Sequence, residues 1–334
     1  MARVWQTGWE MGSKDWLNLS SSGAVSSANT RGSWSGYAKE QSGYFATAET
    51  TIGVAASEFY FGMGLINWGN SHDDEYLLQF KSSTPTAQCG LYANGAGQLQ
   101  VKNGSGTILG TGPTTLSLNV WYYVEGRVVI DNSAGVFEVR IDGVPELNLT
   151  GVDTRNDGSL STADRIRLPG GASNVTEWSC DDLYINDTTG SVNTGYSGDI
   201  RIKSYFPNAD GSNSGMSLST GSNHSALVDE RPPNTTDYIY GTGTTETDSL
   251  NIPNTVDVTT VQAVSVWLYA QKSDAGAGNI AHVLKSGGTT DIGSDTALST
   301  GWTYYSKIYN QNPNGPANWT PAAVDAMEIG AKSR

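Results

Sequence analysis

Apolar and polar positions alternate with a period of two through most of the chain. In residues 121–130, Tyr122, Val124, Val128 and Ile130 alternate with Tyr123, Glu125, Arg127 and Val129. This predicts a strand with one buried and one wetter face. Phe137, Val139 and Ile141 alternate with Glu138, Arg140 and Asp142, and Asp142-Gly143 follows at once. That dipeptide predicts a tight hairpin, because type I′ turns need φ > 0 at both central residues. Leu99 and Val101 alternate with Gln98, Gln100 and Lys102, ahead of a turn at Asn103-Gly104. Residues 58–67 and 75–80 read as two more strands, and 179–185 as the last strand of this half.

A stretch at 187–198, rich in Thr, Ser, Asn and Gly, separates this half from the next, and the strand pattern restarts at 199–206. The domain boundary is expected near residue 195, giving domains 1–194 and 195–334. In the second half, Val264, Val266, Leu268 and Ala270 share one strand face, with Ser265, Trp267, Tyr269 and Gln271 on the other. Strands at 279–285 and 302–309 follow, and 321–327 predicts one helical turn with Thr320 as N-cap and Pro321 at the first helical position. No repeat of fixed period is visible, which argues against a propeller or solenoid. The expected fold is all-β: two tandem antiparallel β-sandwiches of jelly-roll type.

Composition sharpens this picture. With 40 Gly and only 16% charged residues, the chain has the makeup of a disordered polar tract, which cannot bury enough apolar surface to offset its ordering entropy. Ten Trp and 16 Tyr spread along the chain argue for a folded protein, since each aromatic buries a large area. A net charge of −14 repels phosphate backbones, so no nucleic-acid partner is expected. Met1–Glu10 lacks a basic segment followed by an apolar one, so no secretory leader is expected. No apolar run reaches the ~20 residues of a membrane helix, so no membrane insertion is expected either. Cys89 and Cys180 are read as buried free thiols, the other reading being a pair facing each other on neighbouring strands of one sheet.

The first half resembles the concanavalin A-like (laminin G-type) jelly roll. The resemblance is carried by Trp5-Gln6-Thr7-Gly8-Trp9-Glu10, by WYYVEGRVVIDNSAGVFEVRIDG at 121–143 and by WSCDDLYIND at 178–187. It covers about residues 1–190 and implies a lectin-like sandwich. The second half is similar to a domain that follows such folds in tailed-phage virion proteins. The matching phrases are GDIRIKSYFPNADG at 198–211, STGSNHSALVDERPPNTTDYI at 219–239 and NWTPAAVDAMEIGAK at 318–332. That resemblance implies a minor structural protein of a phage head or tail, located on the virion.

Lectin-like jelly rolls include glycoside hydrolases, which need two carboxylates at a defined separation across a cleft. The Glu-x-Asp-x-Glu and Glu-x-Asp-x-x-Glu runs of the glucanase branch are missing here, and the nearest acidic cluster, Asp73-Asp74-Glu75, reads as a surface turn beside His72. No enzymatic activity is expected. Aromatic rings stack on sugar faces while Asn and Asp fix hydroxyls, so Trp34, Tyr37, Trp68, Asn70 and Asp73 are the candidates for glycan binding. Calcium is the cofactor this fold uses with glycans. Asn208, Asp210 and Asn213 alternate like part of a calcium loop but lack the later bidentate Glu. Asp181-Asp182 offers at most one ligand if the strand alternates regularly. His224 in Ser222-Asn223-His224-Ser225 is expected to bond a loop carbonyl or carboxylate. Two functions remain: a capsid or tail decoration protein, forming homo-oligomers on the particle among other virion proteins, and an adhesin for host-surface glycans.

Overall fold

The computed structural model describes residues 2–9, 23–26, 30–31, 36–39, 49–69, 75–82, 87–156, 158, 160–168, 178–315 and 317–334, with backbone alone for 23–26 and 36–39. The chain forms two compact units, Met1–Lys203 and Ser204–Arg334. Both are built from antiparallel sheets, and the described helical segments are one short α-helix and one 3-10 turn.

In unit 1 the larger sheet runs in the order β12 (Val144–Val152), β11 (Gly135–Ile141), β10 (Trp121–Val129), β5 (Glu58–Asn67), β14 (Trp178–Asp187), β3 (Gly36–Lys39), β2 (Gly23–Ser26). β1 (Arg3–Thr7) pairs with β14 as well. The smaller sheet runs β4 (Glu49–Ala56), β13 (Ala163–Arg167), β6 (Glu75–Lys81), β7 (Ala87–Ala93), β8 (Gln98–Asn103), β9 (Ile108–Thr115). The two sheets form a sandwich whose core is aromatic. Phe80 of the smaller sheet stacks on Phe59 of the larger, 5.3 Å between centroids, and lies 5.8 Å from Phe61. Met63, Leu65, Val124, Val128, Leu78, Leu91 and Val101 are all fully buried, as the two-residue period requires.

The Asp142-Gly143 hairpin forms as expected, with φ of 49° and 79° and Ile141 opposite Val144. One expectation fails, and of the two readings of the cysteines the buried free thiols hold while the facing pair does not. Residues 199–206 do not form a strand: the Gly198 N–H just before them donates to Glu125 Oε1, and within them the Ile202 N–H donates to Asp182 Oδ1 instead of to a neighbouring strand. Cys89 and Cys180 are buried free thiols, but they lie in different sheets, on β7 and β14. Burial pushes both thiols well above the ordinary range.

In unit 2 one sheet runs β15 (Ala209–Ser214), β18 (Thr247–Asn251), β24 (Glu328–Ser333), β20 (Asn279–Ser286), β21 (Thr289–Ile292), with β22 (Thr296–Ala297) pairing to β20. Two further pairs are β16 (Ser217–Leu218) with β17 (Ile239–Tyr240), and β19 (Val264–Ala270) with β23 (Thr303–Tyr309). Ile252, Val266, Leu284, Tyr309, Trp319, Val324 and Met327 form the main core between them. The helix α1 (Pro321–Asp325) begins as the sequence predicts, with Thr320 accepting the Ala323 N–H and Pro321 in the first turn.

Candidate functional site

Three clusters of polar side chains stand out, two on unit 1 and one on unit 2. The first lies on the outward face of the larger sheet. Arg3, 1% exposed, donates from Nε to Asn186 Oδ1 at 2.5 Å, from Nη1 to Gln6 Oε1 at 2.9 Å and from Nη2 to Ser197 Oγ at 2.7 Å. Its guanidinium also sits 4.5 Å over the Tyr184 ring. Burial lowers its pKa to about 10, which leaves it charged at neutral pH. Tyr184 OH donates to Glu125 Oε1 at 2.6 Å and accepts the Ser197 N–H at 2.9 Å.

Next to this network, Arg31 joins two consecutive aspartates. Its backbone N–H donates to Asp181 Oδ2 at 2.9 Å, while its guanidinium faces Asp182 at 3.5 Å and Asp199 at 2.5 Å. The two aspartates should point to opposite faces in a regular strand. They do not, because β14 carries a bulge between Asp181 and Tyr184 and Asp182 sits at φ 50°. An extra residue in one strand re-aims a side chain in this way. Burial lifts the Asp182 carboxyl to about 6, against the Ile202 N–H, Arg31 and Arg201, which favour its charged form. Gly62 and Gly64 of β5 make room for the cluster: a Cβ at Gly62 would run into the Tyr184 ring, and one at Gly64 into the Arg31 side chain.

The second cluster covers the outward face of the smaller sheet. Register puts Glu49, Arg167, Gln79, Gly90 and Lys102 in one row across five strands. Tyr76, Tyr92, Gln100 and Thr111 form a parallel row. Gln79 Nε2 donates to Tyr92 OH at 2.6 Å, and Gln100 Nε2 to Thr111 Oγ1 at 3.0 Å. Glu49 pairs with Lys81 and lies 3.6 Å from Arg167 and 3.7 Å from Arg165. Cations also cover both tyrosines, Arg167 at 5.6 Å from the Tyr76 ring and Lys102 at 5.2 Å from Tyr92. Burial raises the Tyr76 phenol to about 12. The face is ordered, polar and rich in planar groups.

The third cluster belongs to unit 2. Asp210 accepts the N–H groups of Ser225 and His224, at 2.7 and 3.2 Å. The His224 imidazole bonds through Nδ1 to the fully buried Asp248, whose other oxygen accepts the Met216 N–H. This is the carboxylate partner expected for His224. Ser225 Oγ donates to Asn223 Oδ1 at 2.7 Å, so it is turned to the asparagine and not to the imidazole.

The glycan candidates from sequence are placed unevenly. Trp34, Asn70 and Asp73 lie outside the described residues. Tyr37 is placed by its backbone in β3, opposite Cys180 and Val25. Trp68, 38% exposed, follows β5, and its indole N–H donates to Ser179 Oγ at 2.9 Å. Of Asn208, Asp210 and Asn213, Asp210 has both oxygens on backbone donors, the N–H groups of His224 and Ser225, so its carboxylate is already spent, and the Asn213 amide nitrogen donates to Ser249 and Ser212. Among the described residues no group of three or more His, Cys, Asp or Glu gathers in metal-binding range. Sequence reasoning missed Arg3, Arg31 and Glu125, whose partners come from far along the chain. The one local signal was Gly62 and Gly64 alternating inside a strand, a mark of close approach.

No family model matches the chain, and no curated protein matches it. Among solved structures, a Trypanosoma rangeli sialidase is 14% identical over 39% of this chain and 20% of its own, with a TM-score of 0.32. A second sialidase is 15% identical over 49% of this chain and 16% of its own, at 0.38. A cellulose-induced protein, Cip1, is 14% identical over 57% of this chain and 98% of its own, at 0.43. The chain thus matches a fifth or less of these sialidases' length. These similarities are distant.

Proposed function

We propose that the chain is a non-catalytic surface component of a phage particle, a minor structural or decoration protein of the capsid or tail. The observation that supports this most directly is the work done by the three phrases resembling tailed-phage virion proteins. Each is spent on fastening the fold. In 198–211, Gly198 and Ile202 anchor on Glu125 and Asp182, and Asp210 holds the turn at 224–225. In 219–239, His224 bonds Asp248, and Ser219 pairs with Tyr238. In 318–332, the Trp319 indole donates to Tyr309 O, Asp325 accepts the Thr255 N–H, and Glu328 gathers Ser212, Ser249 and Lys285. The reading rests on the resemblance these phrases carry, and their use in holding the fold is consistent with a part whose partners are its neighbours on the particle. The test is mass spectrometry of purified particles from a phage encoding the chain, with antibody labelling of intact particles. Fixed-stoichiometry incorporation and surface labelling are expected; absence from the particle overturns the reading.

A second reading, an adhesin for host-surface glycans, is favoured by the polar outward face of the smaller sheet. Tyrosine rings, amides and cations fixed in register are the groups that hold a saccharide. Labelled protein binding to host cells in a sugar-competed manner, weakened by Tyr92→Ala, is the expected result for that role. Unaltered binding in the variant removes this face from consideration.

A further inference from the structure

The paired strands β19 and β23 of unit 2 carry a surface that neither reading uses. Tyr269 lies opposite Tyr304, and Leu268 opposite Tyr305. Val266 and Tyr309 belong to the main core with Val264 packed against it, and Leu268 and Ala270 pack on a second buried cluster of Met216, Ile280 and Ala331. Strand alternation therefore turns Tyr269 and Tyr304 outward. Their centroids are 4.4 Å apart; Tyr269 stacks on Trp302 at 5.3 Å, Trp302 meets Tyr238 at 5.9 Å, and Tyr238 meets Tyr240 at 6.1 Å. Five rings from three segments join in one ladder.

The ladder is held in place before any ligand arrives. Ser299, three residues before Trp302, accepts the Lys272 N–H at its carbonyl and gives its own N–H to Tyr305 OH, both at 2.9 Å. Tyr238 N–H donates to Ser219 Oγ at 2.8 Å, and Ser219 N–H returns a bond to the Tyr238 carbonyl at 3.0 Å. With the backbone tied down beside Trp302 and at Tyr238, and each ring packed on the next, the ladder loses little freedom on binding.

Size and chemistry decide what the ladder fits. Tyr240 is 42% exposed, Tyr238 38%, and the other three less. At ~200 Å² per aromatic side chain the five rings therefore present at most about 400 Å², half of the ~800 Å² each partner contributes to a stable protein interface. A second copy seated isologously falls short by the same margin. Near these rings stand the exposed hydroxyl residues Ser219, Thr236, Ser299 and Ser306; Ser219 Oγ accepts the Tyr238 N–H, Thr236 donates to Asn234 and Ser299 to the Gly301 carbonyl, so each keeps capacity for one further bond. Glu246, near Tyr240 in the chain, spends its carboxylate on the Thr242 N–H and hydroxyl. A ligand that matches ring faces with a hydroxyl fringe carries C–H faces, hydroxyl edges and no charge.

We propose that this ladder binds neutral oligosaccharides, their apolar ring faces stacked on Trp302, Tyr269 and Tyr238 and their edge hydroxyls meeting the Ser and Thr side chains. The site is independent of the smaller-sheet face on unit 1, and it stands whether or not the chain is part of a particle. The test applies the full chain to an array of neutral and acidic bacterial oligosaccharides, then titrates the strongest neutral binder while following tryptophan emission. Neutral chains longer than a disaccharide are expected to bind and to change the emission. Trp302→Ala and Tyr238→Ala should each weaken binding about tenfold or more, the loss of roughly one stacking contact. Tyr238 is an exposed ring, so its variant is expected to keep the parent melting temperature. Absence of neutral binders overturns the proposal, and so does binding that both variants leave intact. Loss of binding with Tyr92→Ala alone moves the site to unit 1 and also overturns it. So does self-association that Trp302→Ala abolishes, since the ladder is then a protein interface.

Discussion

Asp182 combines an αL backbone with a buried charge. Its φ of 50° suits aspartate better than most residues, because a short polar side chain bonds locally. Its carboxylate accepts the Ile202 N–H at 2.8 Å and faces Arg31. Asp182→Ala is expected to cost about 2–4 kcal/mol, since it leaves a buried guanidinium short of one partner. Asp182→Asn keeps the acceptor and the αL tolerance and should cost visibly less; urea unfolding of both variants checks the order. Glu328 sets a pH dependence. Burial opposes its ionisation, yet bonds from Lys285, Ser249 and Ser212 outweigh that and hold the carboxyl at about 2, below its ordinary 4.5. A depressed acid stabilises fully above its unfolded value and loses that contribution as pH falls through the folded one. Glu328→Gln should therefore cost about 2 kcal/mol at neutral pH, and the gap to the parent should close between pH 4.5 and 2 in thermal melts.

At the scale of elements, β5 shows how one strand serves two layers. Phe61, Met63 and Leu65 face the core, while Gly62 and Gly64 alternate with them under Tyr184 and Arg31. A methyl group at Gly62 has nowhere to go, because the ring above it is fixed by Glu125 and Ser197. Gly62→Ala is expected to destabilise by about 1–3 kcal/mol through overpacking, with near-UV circular dichroism reporting the displaced tyrosine. In α1, Thr320 caps Ala323 at 3.2 Å, and Thr320→Ala should cost about 1 kcal/mol in denaturant unfolding. The β5 and β10 strands and the α1 cap were all legible in sequence, since each rests on residues adjacent in the chain. The β14 bulge was not, because nothing within WSCDDLYIND marks where the register against β5 slips.

For the molecule as a whole, the two cysteines report on the sandwich of unit 1. Cys89 and Cys180 lie one in each sheet, and both are buried. Neither is expected to react with a disulfide reagent under native conditions, and both should titrate once urea opens the sheets; reaction of either in the native protein contradicts the packing. By itself the sequence determined the all-β class, the position of most strands, the Asp142-Gly143 hairpin and the capped turn at 320–325. Those features follow from local rules of side-chain alternation, turn geometry and capping, which need only neighbours in the chain. Only the tertiary structure decided that 196–202 lies as an irregular segment on Glu125 and Asp182, that Asp181 and Asp182 share Arg31, and that five rings from three segments join into one ladder. Each of these depends on partners tens to hundreds of residues apart, such as Arg3 with Ser197. Periodicity tells which face a residue takes, and only folding tells what that face meets.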